Sequence, residues 1–310
     1  MKNYKKILTL LSIALLLVLL YFSDLPGVVE VLAGADIPLI SMSLVVLTFS
    51  IFIRIVRWKL FLKNLDIDST WSECSYSYMP ALFISNFTPA RIGEPLRSYF
   101  LKKIKNVSIS KTIPSVIMER ALDILTLVVL SVMILFTFNL GHMVYVDVLL
   151  IIILIIAGLA VLRSERVAGR FLGLFFRIFS FHPKLKEAGK RSTEITKKFH
   201  RGFRIRKSIL SMVLILSILV WVTEGLIFYI AFLSIGVDLS PFLIISIFAF
   251  SVLMGVITFL PGGIGSTEFV FALILSSYIS LPQATAGIML GRFLTFWLIM
   301  FVASLFWRKI

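Results

Sequence analysis

The chain has 310 residues, 59% of them hydrophobic, and 31 Lys and Arg against 16 Asp and Glu give it a formal net charge of +15. Soluble domains carry roughly 45–50% apolar residues, so this composition, with mean hydropathy +1.02, excludes a soluble protein and predicts an all-α polytopic membrane protein. A single cysteine, Cys74, excludes an internal disulfide, and three scattered histidines leave no metal-ligand cluster, so no cofactor is expected.

The first predicted span, about 7–22, follows Lys2, Lys5 and Lys6. It resembles a signal peptide, but its apolar run is long enough to cross a membrane, and "AGA" at 33–35 lies too far beyond it for cleavage; a retained helix is expected. A second span, about 38–60, ends in Arg54, Arg57, Trp58 and Lys59, which reads as a basic and aromatic interfacial anchor. Residues 71–88 are only weakly apolar and run into "FTPARIG" at 87–93 and "EPLRSYFLKKIK". With basic markers at both ends, this region (71–105) is expected to enter from the cytoplasmic side and return there.

Spans at about 114–137 and 145–163 follow, then a basic loop at 164–207 whose "RVAGRFLGLFFRIF" suits either an interfacial helix or a plain charged loop. The second half opens with a span at about 208–233. Residues 240–280 carry "FLPGGIG" at 259–265 between neutral or acidic flanks, and a last helix, about 283–306, ends at "WRKI". Segments 23–38, 139–147, 234–241 and 276–283 contain no Lys or Arg, while the other loops are basic. That alternation is the positive-inside pattern: it places the N-terminus, the 164–207 loop and the C-terminus in the cytoplasm and accounts for the +15 without nucleic acid. About six full spans and two re-entrant hairpins are therefore predicted in a single transmembrane domain, 1–310.

The two breaks share Phe, Pro, Ile and Gly in register and enter from opposite faces. This is the pattern of inverted repeats with broken helices meeting near the bilayer midplane; two unrelated Pro/Gly kinks would leave the same letters. In the second break, Pro261, Gly262, Gly263 and Gly265 permit close backbone approach, and a helix beginning near Ser266 would aim free amides at an anion. In the first, Arg91 and Arg97 flank Gly93, Glu94 and Pro95 and add fixed cations suited to phosphate. Both restarting helices carry a carboxylate, Glu94 or Glu268. Further embedded charges are Glu119, Arg120 and Asp123 in "MERALDIL", Glu224 and Arg292, each a functional-site candidate at such depth. Arg120 is expected to reach Asp123 three residues on, and Glu119 to share a face with Asp123. No nucleophile elbow, P-loop or HExxH motif is present.

"RIVRWKLFL", "PARIGEPLR", "MERALDILTL" and "FLPGGIGSTE" together resemble the transmembrane region of the lysylphosphatidylglycerol synthase family, over nearly the whole chain. The resemblance implies a flippase-like membrane domain, here without the acyltransferase domain that follows it in the synthases. It implies Arg91, Gly93, Glu94, Arg97, then Glu119, Arg120, Asp123, then Pro261, Gly262, Gly263, Gly265 and Glu268 as the motif positions. The expected function is transport of an anionic lipid, with a phospholipid or polyprenyl-phosphate-type headgroup, in the cell membrane. A lipid-modifying enzyme or a membrane subunit of a lipid synthase such as a phosphatidylglycerol lysyltransferase is the alternative. The expected partner is the lipid, with homo-oligomerisation left open.

Overall fold

The computed structural model describes residues 2–88, 91, 93–138 and 205–309. The expected span at 145–163 and nearly all of the basic 164–207 loop lie outside the described residues. Those described form helices with no strand among them.

Helix α1 (Lys2–Phe22) turns through 81° at Asp24 into α2 (Leu25–Ala33). The sequence reading treats 23–38 as a connecting loop. Instead, Pro26 seeds α2 at its first turn, and Ser23 reaches Thr285 across 2.7 Å to pin the bend. Helix α3 (Ile37–Asn64) begins on an Asp36 cap that accepts the Leu39 N–H at 3.0 Å. Helix α4 (Trp71–Asn86) starts with a Thr70/Glu73 capping box and breaks at 87–95, and α5 (Leu96–Lys105) doubles back. The return is direct: Lys105 at the end of α5 lies 3.0 Å from Glu73 at the start of α4. Helix α6 (Ile109–Phe138) follows.

The second half repeats this order. Helix α7 (Lys207–Ser234) is followed by α8 (Pro241–Ile257), a break at 258–265 and α9 (Ser266–Leu275). Then α10 (Leu281–Arg292), a π turn (Phe293–Leu298) and α11 (Ile299–Leu305) run on as one 25-residue apolar span. Helices α8 and α9 fold back on each other through Phe248 and Phe271, whose rings stand 6.5 Å apart. Among the described residues, three helices are each long and apolar enough to cross a membrane: α3, α7 and the α10–α11 run. The bent α1–α2 pair, counted as one span, makes a fourth.

The repeat is structural as well as verbal. Helices α3 and α7 both have 28 residues, and both end in a Schellman-type cap. Ile67 N–H donates to the Leu62 carbonyl and Val237 N–H to that of Phe232, each at 3.0 Å. The left-handed residues Asp66 and Gly236 occupy the same place, and Thr70 and Ser240 then cap the next helix. Helices α3 and α7 are antiparallel: Asp36 N–H donates to the Ser234 carbonyl at 2.7 Å, while Arg206 N–H donates to Asn64 Oδ1 at 3.0 Å. Equivalent helices that pack antiparallel make the two repeats inverted. Packing follows the same pseudo-symmetry, since α6 lies against α8 and α11 lies against α4. The last helix of each repeat thereby covers the hairpin of the other.

Candidate functional site

The two breaks meet. Gly262, at φ +61, lies so close to the first break that a Cβ there would stand 2.8 Å from the Asn86 carbonyl oxygen and 2.8 Å from the Phe296 ring. Glycine meets both demands, the left-handed backbone and the missing side chain. Two narrow cavities flank this contact. One is bordered by Arg54, Asn86, Trp221, Glu224 and Phe248, the other by Gly255, Leu260, Gly263 and Thr267. Arg91 and Arg292 border both. Their open volumes are about 20 and 30 Å³, room for water but not for a headgroup.

Arg91 occupies an unusual position. Its φ of +56 is left-handed, matched in the second break by Gly263 at +67. A bulky residue in that region costs of order 1–3 kcal/mol, the kind of strain that accumulates at functional positions. Among the described residues no carboxylate forms an ion pair with Arg91; Glu94 and Glu224 act on it only at longer range. Arg292 is paired through Nε to Glu268, while its buried Nη2 has no hydrogen-bond partner among the described residues. The π turn begins just after it, widening the helix where the cavities touch.

The second break is less open to an anion than expected. Gly263, Ile264, Thr267 and Phe269 amides donate to carbonyls of the turn, Pro261 accepting from Ile264 at 3.1 Å. Glu268 accepts the Gly265 N–H at 2.7 Å, so Gly265 rather than Ser266 is the helix cap, and the carboxylate itself occupies the anion position. Gly265 abuts the Ser12 carbonyl of α1, a packing role, and Gly93 similarly abuts Ser85 while donating to Thr88 Oγ1 at 2.9 Å. Pro95 caps α5 from just outside its first turn.

Arg97 faces elsewhere. It lies 2.7 Å from Glu119, with its guanidinium 4.3 Å over Trp58, and borders a separate small cavity with Glu94 and Tyr78. Glu119 and Asp123 share a helix face as the spacing predicts, and both meet Arg57, at 2.7 and 2.6 Å. Arg120 pairs with Asp123 three residues on and lies 2.6 Å from Glu94. Trp221 Nε1 donates to Asp123 at 3.1 Å, and Ser217 accepts from Arg57 at 2.9 Å. Three arginines and three carboxylates thus close on one another.

Arg54 and Arg57 correct the sequence reading. They are not interfacial anchors but are 2% and 0% exposed, because α3 continues to Asn64 and leaves them well inside the bundle. Arg54 pairs with Glu224, and Arg57 organises the network just described. Their three-residue spacing, on the face shared with Leu47, Ser50 and Phe61, is the signal that marks them as inward.

The four motifs therefore converge on one charged centre between two inverted repeats. A family profile described as the lysylphosphatidylglycerol synthase TM region matches residues 9–303. The chain belongs to that family. Membership makes it a multi-pass membrane protein with a lipid-related function. Among its relatives, a UPF0104 membrane protein of Pyrococcus horikoshii is 28% identical over 96% of this chain and 94% of its own. A UPF0104 membrane protein of Methanothermobacter thermautotrophicus is 27% identical over 88% and 86%. The glycosyltransferase AglD of Haloferax volcanii is 22% identical over 90% of this chain but 49% of its own length, so in that enzyme the family region forms only part.

Proposed function

We propose that this protein is a flippase-type transporter that carries an anionic lipid headgroup across the cell membrane between its two helix breaks. The observation that carries this reading is Arg91. A cation without an ion-pair partner among the described residues, held in a strained backbone where two breaks meet, is costly inside a bilayer unless an anion completes it. Arg292 offers a second donor across the same cavities. Both are fork-shaped guanidinium groups suited to phosphate oxygens. Inverted repeats give the headgroup a route, because exchanging the conformations of the two halves exchanges the side to which the centre opens. The narrow cavities correspond to a closed form on that route, with the acyl chains remaining in the surrounding lipid. In this orientation the N-terminus and the basic 164–207 loop face the cytoplasm.

The test is reconstitution into liposomes containing tail-labelled fluorescent phosphatidylglycerol, with leaflet placement read by a membrane-impermeant quencher. Protein-dependent redistribution that disappears in Arg91→Ala supports transport; no redistribution with any anionic headgroup refutes it. The partial match to a glycosyltransferase favours a second reading, a membrane unit serving a lipid-modifying enzyme. Mass spectrometry of lipids from a deletion strain separates the two. A missing modified lipid favours the enzyme, and altered leaflet placement of an unchanged lipid favours transport.

A further inference from the structure

The geometry points to Glu224 as a proton acceptor that couples anion movement to one proton; this rests on the transport reading above. Within the helix bundle, among the described residues, six arginines (54, 57, 91, 97, 120 and 292) face five carboxylates (Glu94, Glu119, Asp123, Glu224 and Glu268). The excess is one positive charge, and Arg91 is the arginine without an ion pair. The centre is therefore balanced by a single negative charge, which an anionic lipid would bring.

One of these ion pairs, Arg54 with Glu224, lines the cavity that such an anion would enter. Asp123 is held by Arg57, Arg120 and Trp221; Glu119 by Arg57 and Arg97; Glu268 by Arg292 and the Gly265 amide. Glu224 has one ion-pair partner among the described residues, Arg54, reached through one oxygen, and both line the cavity bordered by Arg91 and Arg292. Arg54 Nε is buried and has no hydrogen-bond partner among the described residues. An anion seated on Arg91 and Arg292 thus stands beside a carboxylate that a single arginine holds, and beside an arginine with a donor to spare. The charged and titratable groups around this pair are Arg57 on α3, Tyr78 on α4, Asp123 on α6, Arg91 in the first break and Arg292 on α10. Helix α8 contributes only Phe248 and Val252 to that cavity.

When the anion takes Arg54, Glu224 is left as a buried carboxylate without its cation, a strongly unfavourable state. Taking a proton from water on the open side neutralises it: one O–H bond forms on Glu224 and one hydronium is consumed. After the repeats exchange, the anion leaves, Glu224 releases the proton to the other side and its carboxylate returns to Arg54. One anion and one proton move together, so the cycle carries no net charge. The position of the pair supports this role. Arg54 and Glu224 are 170 residues apart, the same offset that superposes the ends of α3 and α7, so they are repeat-equivalent residues meeting at the pseudo-two-fold axis. A point on the axis keeps its place when the two halves exchange shapes, so the pair is reachable from both sides.

The experiment uses the whole protein in phosphatidylcholine liposomes with tail-labelled fluorescent phosphatidylglycerol and an internal pH-reporting dye. Wild-type protein is expected to acidify the interior as lipid moves inward. A pH step of about one unit should shift the leaflet ratio up to about tenfold, and an imposed membrane potential should have no effect. Glu224→Gln should abolish both the dye signal and the gradient's influence, while Glu224→Asp retains them. Lipid movement by wild type without proton movement, or with a dependence on membrane potential, overturns the coupling and leaves the transporter standing. No lipid movement by folded wild type overturns both. The wild-type arms need no variant, so a Glu224→Gln protein that fails to fold does not decide the matter.

Discussion

Arg54 and Glu224 are the same position in two copies of one design, and they hold each other across the antiparallel α3–α7 seam. They are 2% and 6% exposed. Breaking a buried pair from one side leaves an uncompensated charge and costs about 3–5 kcal/mol. Arg54→Ala and Glu224→Ala should each lower the detergent melting temperature markedly. The swap Arg54→Glu with Glu224→Arg should recover most of the loss, because the pseudo-two-fold carries each site onto the other. A swapped protein no more stable than the single variants would contradict that symmetry.

At Arg91 stability and activity should part company. Its left-handed backbone is the conformation that Gly263 holds at the matching place in the second break. Arg91→Gly relieves strain of order 1–3 kcal/mol and removes a cation that no described carboxylate pairs. The melting temperature should therefore rise. Lipid redistribution should fall by about 10- to 100-fold, the range expected for losing a charged hydrogen bond. A variant both less stable and fully active would show Arg91 to be structural.

Part of this arrangement could be read in the chain beforehand, and the failures have physical reasons. The apolar composition gave the all-helical membrane class, and "FTPARIG" with "FLPGGIG" gave the inverted pair. These signals are local or periodic. Arg54 and Arg57 were misplaced because arginine beside tryptophan is also the signature of a membrane interface; the helix running on to Asn64 and the buried face they share with Phe61 distinguish the two. Helix α2 was missed because Asp24, Pro26 and Gly27 resemble a loop, and its helical state depends on packing against α10. The second break looked like bare backbone because Glu268 is close in sequence to every amide it could cap, and sequence does not reveal which way it turns. What escaped for the arginines and for α2 was a contact between distant segments, and for Glu268 it was the direction of one side chain within a single turn.

Arg57 should be the least replaceable side chain in the ion network. One guanidinium reaches Asp123 at 2.6 Å, Glu119 at 2.7 Å and Ser217 at 2.9 Å while 0% exposed. Its planar fork lets two nitrogens serve two carboxylates, which a single ammonium on a flexible stem does poorly. Arg57→Ala is expected to cost about 3–5 kcal/mol, with Arg57→Lys restoring only part. Thermal unfolding in detergent measures both, and full recovery by lysine would show that charge alone matters there.

The seam between α7 and α10 depends on two glycines a turn apart. A Cβ at Gly287 would run into the Phe232 ring, and one at Gly291 into the Phe228 ring. Small residues spaced by four let membrane helices approach closely. Overfilling such a contact typically costs about 1–3 kcal/mol, so Gly287→Ala and Gly291→Ala should each destabilise by that amount. The pairing also predicts specific rescue. Phe232→Leu should relieve Gly287→Ala and leave Gly291→Ala unimproved, and Phe228→Leu should do the reverse. Directly contacting residues couple and separated ones add, so a double-mutant cycle on melting temperatures reads the result. Equal rescue by either leucine would mean that the helices simply part, and the pairwise fit would be refuted.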